Sequence, residues 1–156
     1  LSKFTTSTKQ SRIAIWIGAI GALSESVNNQ SAEVMAKHNE WGNIAETIAA
    51  EHLIRQGYVI RERNWNPMHG HVEIDIITQR DNTLIFVEVK ARQDSDEDPA
   101  EAVDDKKIRR LVRAAESYLR AQEYDFEYRF DIITISGNPD SYTLDHIEDA
   151  FLPPLS

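Results

Sequence analysis

Residues 73–90 read EIDIITQRDNTLIFVEVK and contain the three side chains of this chain best suited to chemistry, Asp75, Glu88 and Lys90. All three lie within runs that are rich in Ile, Val, Leu and Phe. A charged group among apolar neighbours is costly unless it is paired or holds a metal ion. Two carboxylates and an ammonium in such a setting therefore raise the question of what compensates their charge, and a bound divalent metal ion is one answer.

The spacing of these residues predicts a β-hairpin that brings them onto one face of a sheet. Because side chains alternate along a strand, Glu88 and Lys90 share a face of the second strand. A four-residue turn at residues 80–83 then sets Asp75 opposite Glu88 and Glu73 opposite Lys90. Directly opposed residues have Cβ atoms about 5 Å apart, so their side chains interact.

Asp75 and Glu88 would repel each other at that separation. At about 4 Å and an effective dielectric constant near 20, the repulsion is on the order of 4 kcal/mol. Three arrangements relieve it: one carboxyl stays protonated, Lys90 neutralises the pair, or a divalent cation binds between the two. Hard carboxylate oxygens in a chain without cysteine favour Mg²⁺ or Mn²⁺ over zinc. The alternative is a solvated sheet face, on which Glu73 and Lys90 form a cross-strand ion pair.

The segments around this hairpin predict a mixed α/β domain. Strand-like patterns occur at residues 58–65, 72–78, 84–90 and 128–135, with a short fifth strand at 142–147. Apolar residues recur at helical spacing over residues 40–56, with Asn39 as the N-cap, and from Asp104 or Asp105 to about residue 122. This order predicts a small mixed sheet of four to five strands flanked by helices.

Composition narrows the classes of function. A chain of 156 residues suits one domain, and a net charge of −9 excludes a general nucleic-acid coat. A polyanionic partner would have to meet a local basic patch or bridging cations. The absence of cysteine fits a reducing compartment, so we expect a cytoplasmic protein.

Residues 1–34 differ from the rest of the chain: they hold basic residues, an apolar run at 13–23 and a Ser- and Asn-rich stretch. Met35 reads as the start of a domain, so we expect a disordered or non-native extension over 1–34 and the domain over 35–156. A secretory signal has the same layout, and a flexible native arm is a third interpretation. The apolar run is shorter than the roughly 20 residues that span a bilayer, so no membrane contact is expected for the domain.

The densest positive patch is predicted on the second helix, where Lys106, Arg110 and Arg113 lie on one side. Such a patch can follow phosphates without reading base sequence. Arg63 and Arg92 are further candidates for nucleic-acid contact. The alternative is a solvated helix face whose charge is balanced by the acidic loop before the helix.

An acidic residue on one strand followed by Glu-x-Lys on the next resembles the PD-(D/E)xK nuclease superfamily. Over residues 35–155 the chain is also similar to the YraN family of uncharacterised bacterial proteins. Besides the hairpin, the positions that carry this resemblance include Gly42, Glu46, Gly57, Arg63, Asn64, Tyr118, Asp131, His146 and Phe151. The ordered series of matches is more specific than the short catalytic motif alone.

The resemblance implies a restriction-endonuclease-like core, similar to that of Holliday-junction resolvases. In that superfamily the counterparts of Glu46, Asp75 and Glu88 hold a divalent metal, and the counterpart of Lys90 polarises the attacking water or the phosphate. It therefore implies an Mg²⁺- or Mn²⁺-dependent DNA endonuclease for branched or damaged DNA, acting as a homodimer. The alternatives are a nucleic-acid-binding module without catalysis and a protein-interaction domain. For Glu46 the alternative is a solvated helix glutamate.

Overall fold

A computed structural model describes residues 7–67, 72–93 and 104–152, with side chains from residue 31 onward. The chain divides into two compact units, Leu1–Glu40 and Trp41–Ser156, and the sheet belongs to the second. The elements are α1 (Ser7–Arg55), β1 (Val59–Trp65), β2 (Ile74–Arg80), β3 (Thr83–Arg92), α2 (Asp105–Arg120), β4 (Glu127–Asn138) and β5 (Ser141–Ile147). The acidic loop before α2 lies outside the described residues.

The element order confirms the predicted fold class, a mixed α/β domain with a five-stranded sheet flanked by helices. The strands follow one another in the sheet in the order β1-β2-β3-β4-β5. All neighbours are antiparallel except β3 and β4, which are parallel. A parallel pair needs a crossover connection, and α2 lies within this one.

Helix α1 begins well before residue 40, where the sequence predicted its start. The N-cap predicted at Asn39 is wrong, because the backbone is already helical there. The preceding AEVMAK segment consists mostly of good helix formers and holds no stop signal. The helix ends at Arg55, one residue before the predicted end, and Gly57 follows with a φ of 86°. The interpretation of residues 1–34 as an extension stays a prediction.

In the described part of the chain, no helix has both the length and the apolar content that crossing a bilayer requires.

Two apolar clusters form the core of the second unit, on opposite faces of the sheet. On one face, Ile77 packs in a cluster with Leu111 of α2. On the other, Ile76 packs in a cluster with Leu53 of α1. Ile76 and Ile77, which are adjacent in β2, thus pack in different clusters, as strand alternation requires. The central strands are therefore packed on both faces, so a charged side chain such as Glu88 on these strands is largely removed from water.

Asp131 of β4 lies at the centre of a separate polar network and is fully buried. Its carboxylate accepts hydrogen bonds from Arg129 Nε and from the Asp149 backbone N–H, each at 3.0 Å, and lies 2.8 Å from His146 Nε2. Arg129 also donates to the Tyr58 hydroxyl at 3.0 Å. With these partners the hydrogen-bonding capacity of the carboxylate is satisfied. The network therefore links β4 to β5 through His146 and to the start of β1 through Tyr58.

Gly137, near the end of β4, has a backbone conformation and a close contact that only glycine accommodates well. Its φ is 124°, and a Cβ at this position would collide with the carbonyl oxygen of Ser141. We expect Gly137→Ala to lower the free energy of unfolding by roughly 2–4 kcal/mol, because both the backbone conformation and the contact are unfavourable. Gly42→Ala is the matched control, because the added Cβ meets nothing within 4 Å. Alanine is more favourable than glycine in a helix by about 1 kcal/mol, so this variant should be no less stable than wild type. Urea denaturation measures both, and equal effects would contradict the prediction.

Candidate active site

The β2–β3 hairpin forms in the predicted register, and Ile77 pairs with Phe86. Within the described residues, the ladder of backbone pairs ends at Ile76 and Val87, just before Asp75 and Glu88 would follow. Contact between the strands continues there through a side chain, because Asp75 Oδ2 accepts the backbone N–H of Val89 at 2.7 Å. The hairpin therefore holds both carboxylates at its open end, although the predicted direct pairing of Asp75 with Glu88 is not part of the ladder.

Glu88 is the most deeply buried charged group of this site, with 3% of the residue exposed. Its Oε1 lies 3.0 Å from Lys90 Nζ and also forms an ion pair with Lys107 Nζ. Its Oε2 is buried and has no hydrogen-bond partner in the described part of the chain. An unsatisfied buried acceptor costs about 1–3 kcal/mol and more when it is charged, so Oε2 is an available position for a cation.

The pKa of Asp75 is raised well above its ordinary value. Burial, and then the negative charge of Glu88, raise the pKa of Asp75 to about 7. The charge of Glu46 acts in the same direction, whereas the Val89 N–H and the charge of Lys107 oppose it. The Asp75 carboxyl therefore keeps its proton to a higher pH than an ordinary aspartate does. A cation that binds this carboxylate would have to displace the proton.

Lys107, which is not among the site residues predicted from the sequence, belongs to the site. It lies in the first turn of α2, four residues before the buried Leu111, and so on the helix face that packs against the sheet. Burial lowers the pKa of Lys107, but the charge of Glu88 and the hydrogen bond to it outweigh burial, so the pKa is raised. The spacing to Leu111 is the signal that could have revealed it, since a lysine on a buried face needs an anionic partner.

Asn64 holds two further carboxylates beside the hairpin. Its Nδ2 donates to Glu46 Oε2 at 2.8 Å and to Glu73 Oε1 at 3.2 Å. The φ of Asn64 is 49°, a left-handed conformation that is uncommon for residues other than glycine. The cross-strand ion pair expected between Glu73 and Lys90 on a solvated face is wrong: Lys90 pairs with Glu88, and Glu73 turns to Asn64.

The three predicted metal ligands do not form one ready-made cluster. In the described ranges, no three His, Asp or Glu side chains are grouped so that they could hold a metal ion. Asp75 and Glu88 share one site with Lys90 and Lys107, while Glu46 is hydrogen-bonded to Asn64. Glu46 is near enough for its charge to raise the pKa of Asp75. Its role as a ligand stays a prediction from the resemblance.

An open pocket of about 360 Å³ lies beside Asp75. Two of the predicted nucleic-acid contacts, Lys106 and Arg110, line this pocket together with Lys107. The pocket therefore has carboxylate oxygens and three cationic side chains around one space. This combination suits a phosphodiester that is bound next to a metal ion.

The other predicted nucleic-acid contacts lie elsewhere on the domain. Arg113 is exposed further along α2. Arg63 is exposed on β1, where its guanidinium donates to Thr47 Oγ1 at 3.3 Å. Arg92 ends β3, and its carbonyl accepts the indole N–H of Trp41 at 3.3 Å. Their contact with nucleic acid stays a prediction.

The sheet and its site define a mixed α/β domain with a buried carboxylate–lysine centre at the open end of a hairpin. The chain belongs to the uncharacterised protein family UPF0102, whose family model matches residues 45–135. UPF0102 proteins of Bacteroides thetaiotaomicron and Phocaeicola vulgatus are each 47% identical to it over 122 residues, which is 78% of this chain and 99% of each relative. A UPF0102 protein of Flavobacterium johnsoniae is 43% identical, over 75% of this chain and 98% of its own length. These matches confirm the resemblance to the YraN family.

The raised pKa of Asp75 predicts how stability depends on pH in the protein without metal. The pKa is about 7 in the folded chain against an ordinary value of 3.8 for an aspartate in water, so the folded state binds this proton more tightly. The free energy of unfolding should therefore fall as the pH rises from about 4 to about 7, and the loss should be complete above that range. We expect Asp75→Asn, which cannot ionise, to flatten this slope and to be more stable than wild type at pH 8 by roughly 1–3 kcal/mol.

Urea denaturation in the presence of a chelator, at a series of pH values, measures this slope. Asp81→Asn is the matched control, because it makes the same change at the exposed hairpin turn. If the free energy of unfolding depends on pH equally in wild type and in Asp75→Asn, the raised pKa of Asp75 is refuted.

Proposed function

We propose that this protein is a metal-dependent DNA endonuclease that hydrolyses phosphodiester bonds. The observation that carries the proposal is Glu88 Oε2, a buried carboxylate oxygen without a partner among the described residues, close to a second carboxylate, Asp75. Mg²⁺ and Mn²⁺ favour such hard oxygen donors. Mg²⁺ commonly takes one or two carboxylates from the protein and completes its shell with water and substrate phosphate. Two carboxylates therefore suffice, and the donor set fits the metal.

Each side chain of the site has a role in this proposal. Asp75 and Glu88 hold the ion, and Glu46 is the candidate for a further ligand. When bound, the ion supplies Lewis-acid activation of the phosphate and of a water molecule. Lys90, fixed by its ion pair with Glu88, stabilises the negative charge that develops on the attacked phosphate.

DNA would be held by the positive side chains around the pocket. Lys106 and Arg110 line the pocket, and Arg113 continues the exposed side of α2. Contacts of this kind bind the phosphate backbone and carry no base specificity. In a chain of net charge −9, this local patch rather than the whole surface meets the DNA. The resemblance to Holliday-junction resolvases supports branched DNA as the substrate and a homodimer as the acting form.

A DNA-binding module without catalysis is the second candidate function. Lys107 pairs with Glu88 and so gives the buried carboxylate a positive partner without any metal. A domain that uses only this internal pair would bind DNA through α2 but would neither bind Mn²⁺ tightly nor cut the DNA.

Cleavage and metal binding by the full chain separate the two candidates. We expect wild type, with Mg²⁺ or Mn²⁺, to cut four-way or forked DNA in preference to linear duplex. Asp75→Asn and Glu88→Gln should lower the rate at least about 100-fold and abolish tight Mn²⁺ binding. Lys90→Gln should lower the rate to a similar extent but leave Mn²⁺ binding in place.

Asp81→Asn is again the control, and it should retain both Mn²⁺ binding and cleavage. Branched, nicked and linear DNA that all stay intact with either metal would refute the endonuclease. If the wild-type chain binds DNA but shows no Mn²⁺ binding, the second candidate is supported instead.

A further inference from the structure

We propose that Lys107 is an exchangeable counter-ion of Glu88: a divalent cation displaces it from the carboxylate, and the released ammonium then binds a phosphate of the DNA. The inference rests on the proposed function, because it assigns one more residue to the same site. It would make metal binding and DNA binding depend on each other through a single side chain.

The first observation is the distribution of charge on Glu88. Both ammonium groups, those of Lys90 and Lys107, are placed on Oε1, whereas Oε2 has no partner among the described residues. Two positive charges therefore share one carboxylate oxygen. A divalent cation that binds Glu88 adds two more positive charges within a few ångströms of both lysines. At such distances like charges repel strongly even at an effective dielectric constant near 20, so one lysine should leave.

The second observation identifies the lysine that can leave. Lys90 lies on β3, two residues from Glu88 on the same face of the strand, so its backbone keeps it beside the carboxylate. Lys107 reaches Glu88 from a different element, the first turn of α2. The backbone N–H of Lys107 is held by Asp104 Oδ1 at 2.7 Å, so the helix start stays fixed while the side chain turns away. The Lys107 side chain is also the more exposed of the two, at 36% against 27%.

The third observation is the place that the released side chain would occupy. Lys107 already lines the pocket beside Asp75, together with Lys106 and Arg110. Rotation away from Glu88 moves the Lys107 ammonium into this pocket, closer to Lys106 and Arg110. An anionic ligand bound there would offset the repulsion among these three positive charges. A phosphodiester is the ligand that the proposed reaction supplies at this position, and lysine is a common partner of phosphate oxygens.

Metal affinity tests the exchange without any measurement of activity. Mn²⁺ is titrated into the full-length wild type, Lys107→Gln and Lys106→Gln by calorimetry. We expect Lys107→Gln to lower the Kd about tenfold, equivalent to ~1.4 kcal/mol, because the competing ammonium is gone. Lys106→Gln removes the same charge from the adjacent exposed residue and should change the Kd less than about threefold.

Equal Kd changes in the two variants, or weaker Mn²⁺ binding in Lys107→Gln, would overturn the exchange. A wild-type chain that binds no Mn²⁺ would overturn the proposed function instead, so the two failures are distinguishable. Should Lys107→Gln not fold, the lysine side-chain NMR signals of wild type are followed as Mg²⁺ is added, with Lys107→Arg used for assignment. The Lys107 signal should move to the position of an exposed lysine, and an unchanged signal at saturating Mg²⁺ would overturn the exchange.

DNA affinity tests the second half of the proposal. Binding of four-way DNA is measured with a chelator and with Ca²⁺, at equal ionic strength. We expect Lys107→Gln to weaken binding about fivefold with Ca²⁺ but less than about twofold with the chelator, because the ammonium is occupied by Glu88 when no metal is bound. Lys106→Gln should weaken binding equally in both conditions. Equal weakening by Lys107→Gln in both conditions would refute its release to the phosphate.

Discussion

A carboxylate in the middle of a covered sheet needs positive charge close by, and the arrangement around Glu88 follows from that need. Only 3% of Glu88 is exposed, so water solvates this carboxylate poorly. Lys90 from the same strand and Lys107 from α2 supply the charge. The field of Glu88 is in turn a main reason, after burial, for the raised pKa of Asp75. One buried anion thus contributes to the raised pKa values of Asp75 and Lys107 and is the ion-pair partner of both lysines.

Local pattern was enough to predict the part of the site that lies on the hairpin. Alternation and the short turn determined which residues face each other, and the pairing of Ile77 with Phe86 agrees with that register. The apolar stripe of α2 predicted a cap at Asp104 or Asp105, and Asp104 is the cap: it accepts the N–H of the residue three positions later. The hairpin register and the helix cap are both determined by residues close to each other in the sequence.

The features that the sequence did not reveal depend on contacts between distant segments. Lys107 reaches Glu88 only because α2 packs against the sheet, and no pattern around residue 88 indicates which helix residue will arrive. Asn64 bridges two carboxylates from a left-handed conformation that few residues other than glycine adopt. The hydrogen bond from Asn64 also directs Glu73 away from Lys90. Strand alternation alone would have placed Glu73 opposite Lys90.

The parallel pairing of β3 with β4 has a consequence for the order of folding events. The β2–β3 hairpin is local in sequence, so it can form early, while its carboxylates are still hydrated. The β3–β4 pair forms only after the intervening chain, with α2 in it, has come back across the sheet. The helix that shuts out solvent from Glu88 also carries Lys107 in its first turn. Burial of the anion beneath α2 and the arrival of its second ammonium therefore belong to the same packing step, while Lys90 of the hairpin is already beside it.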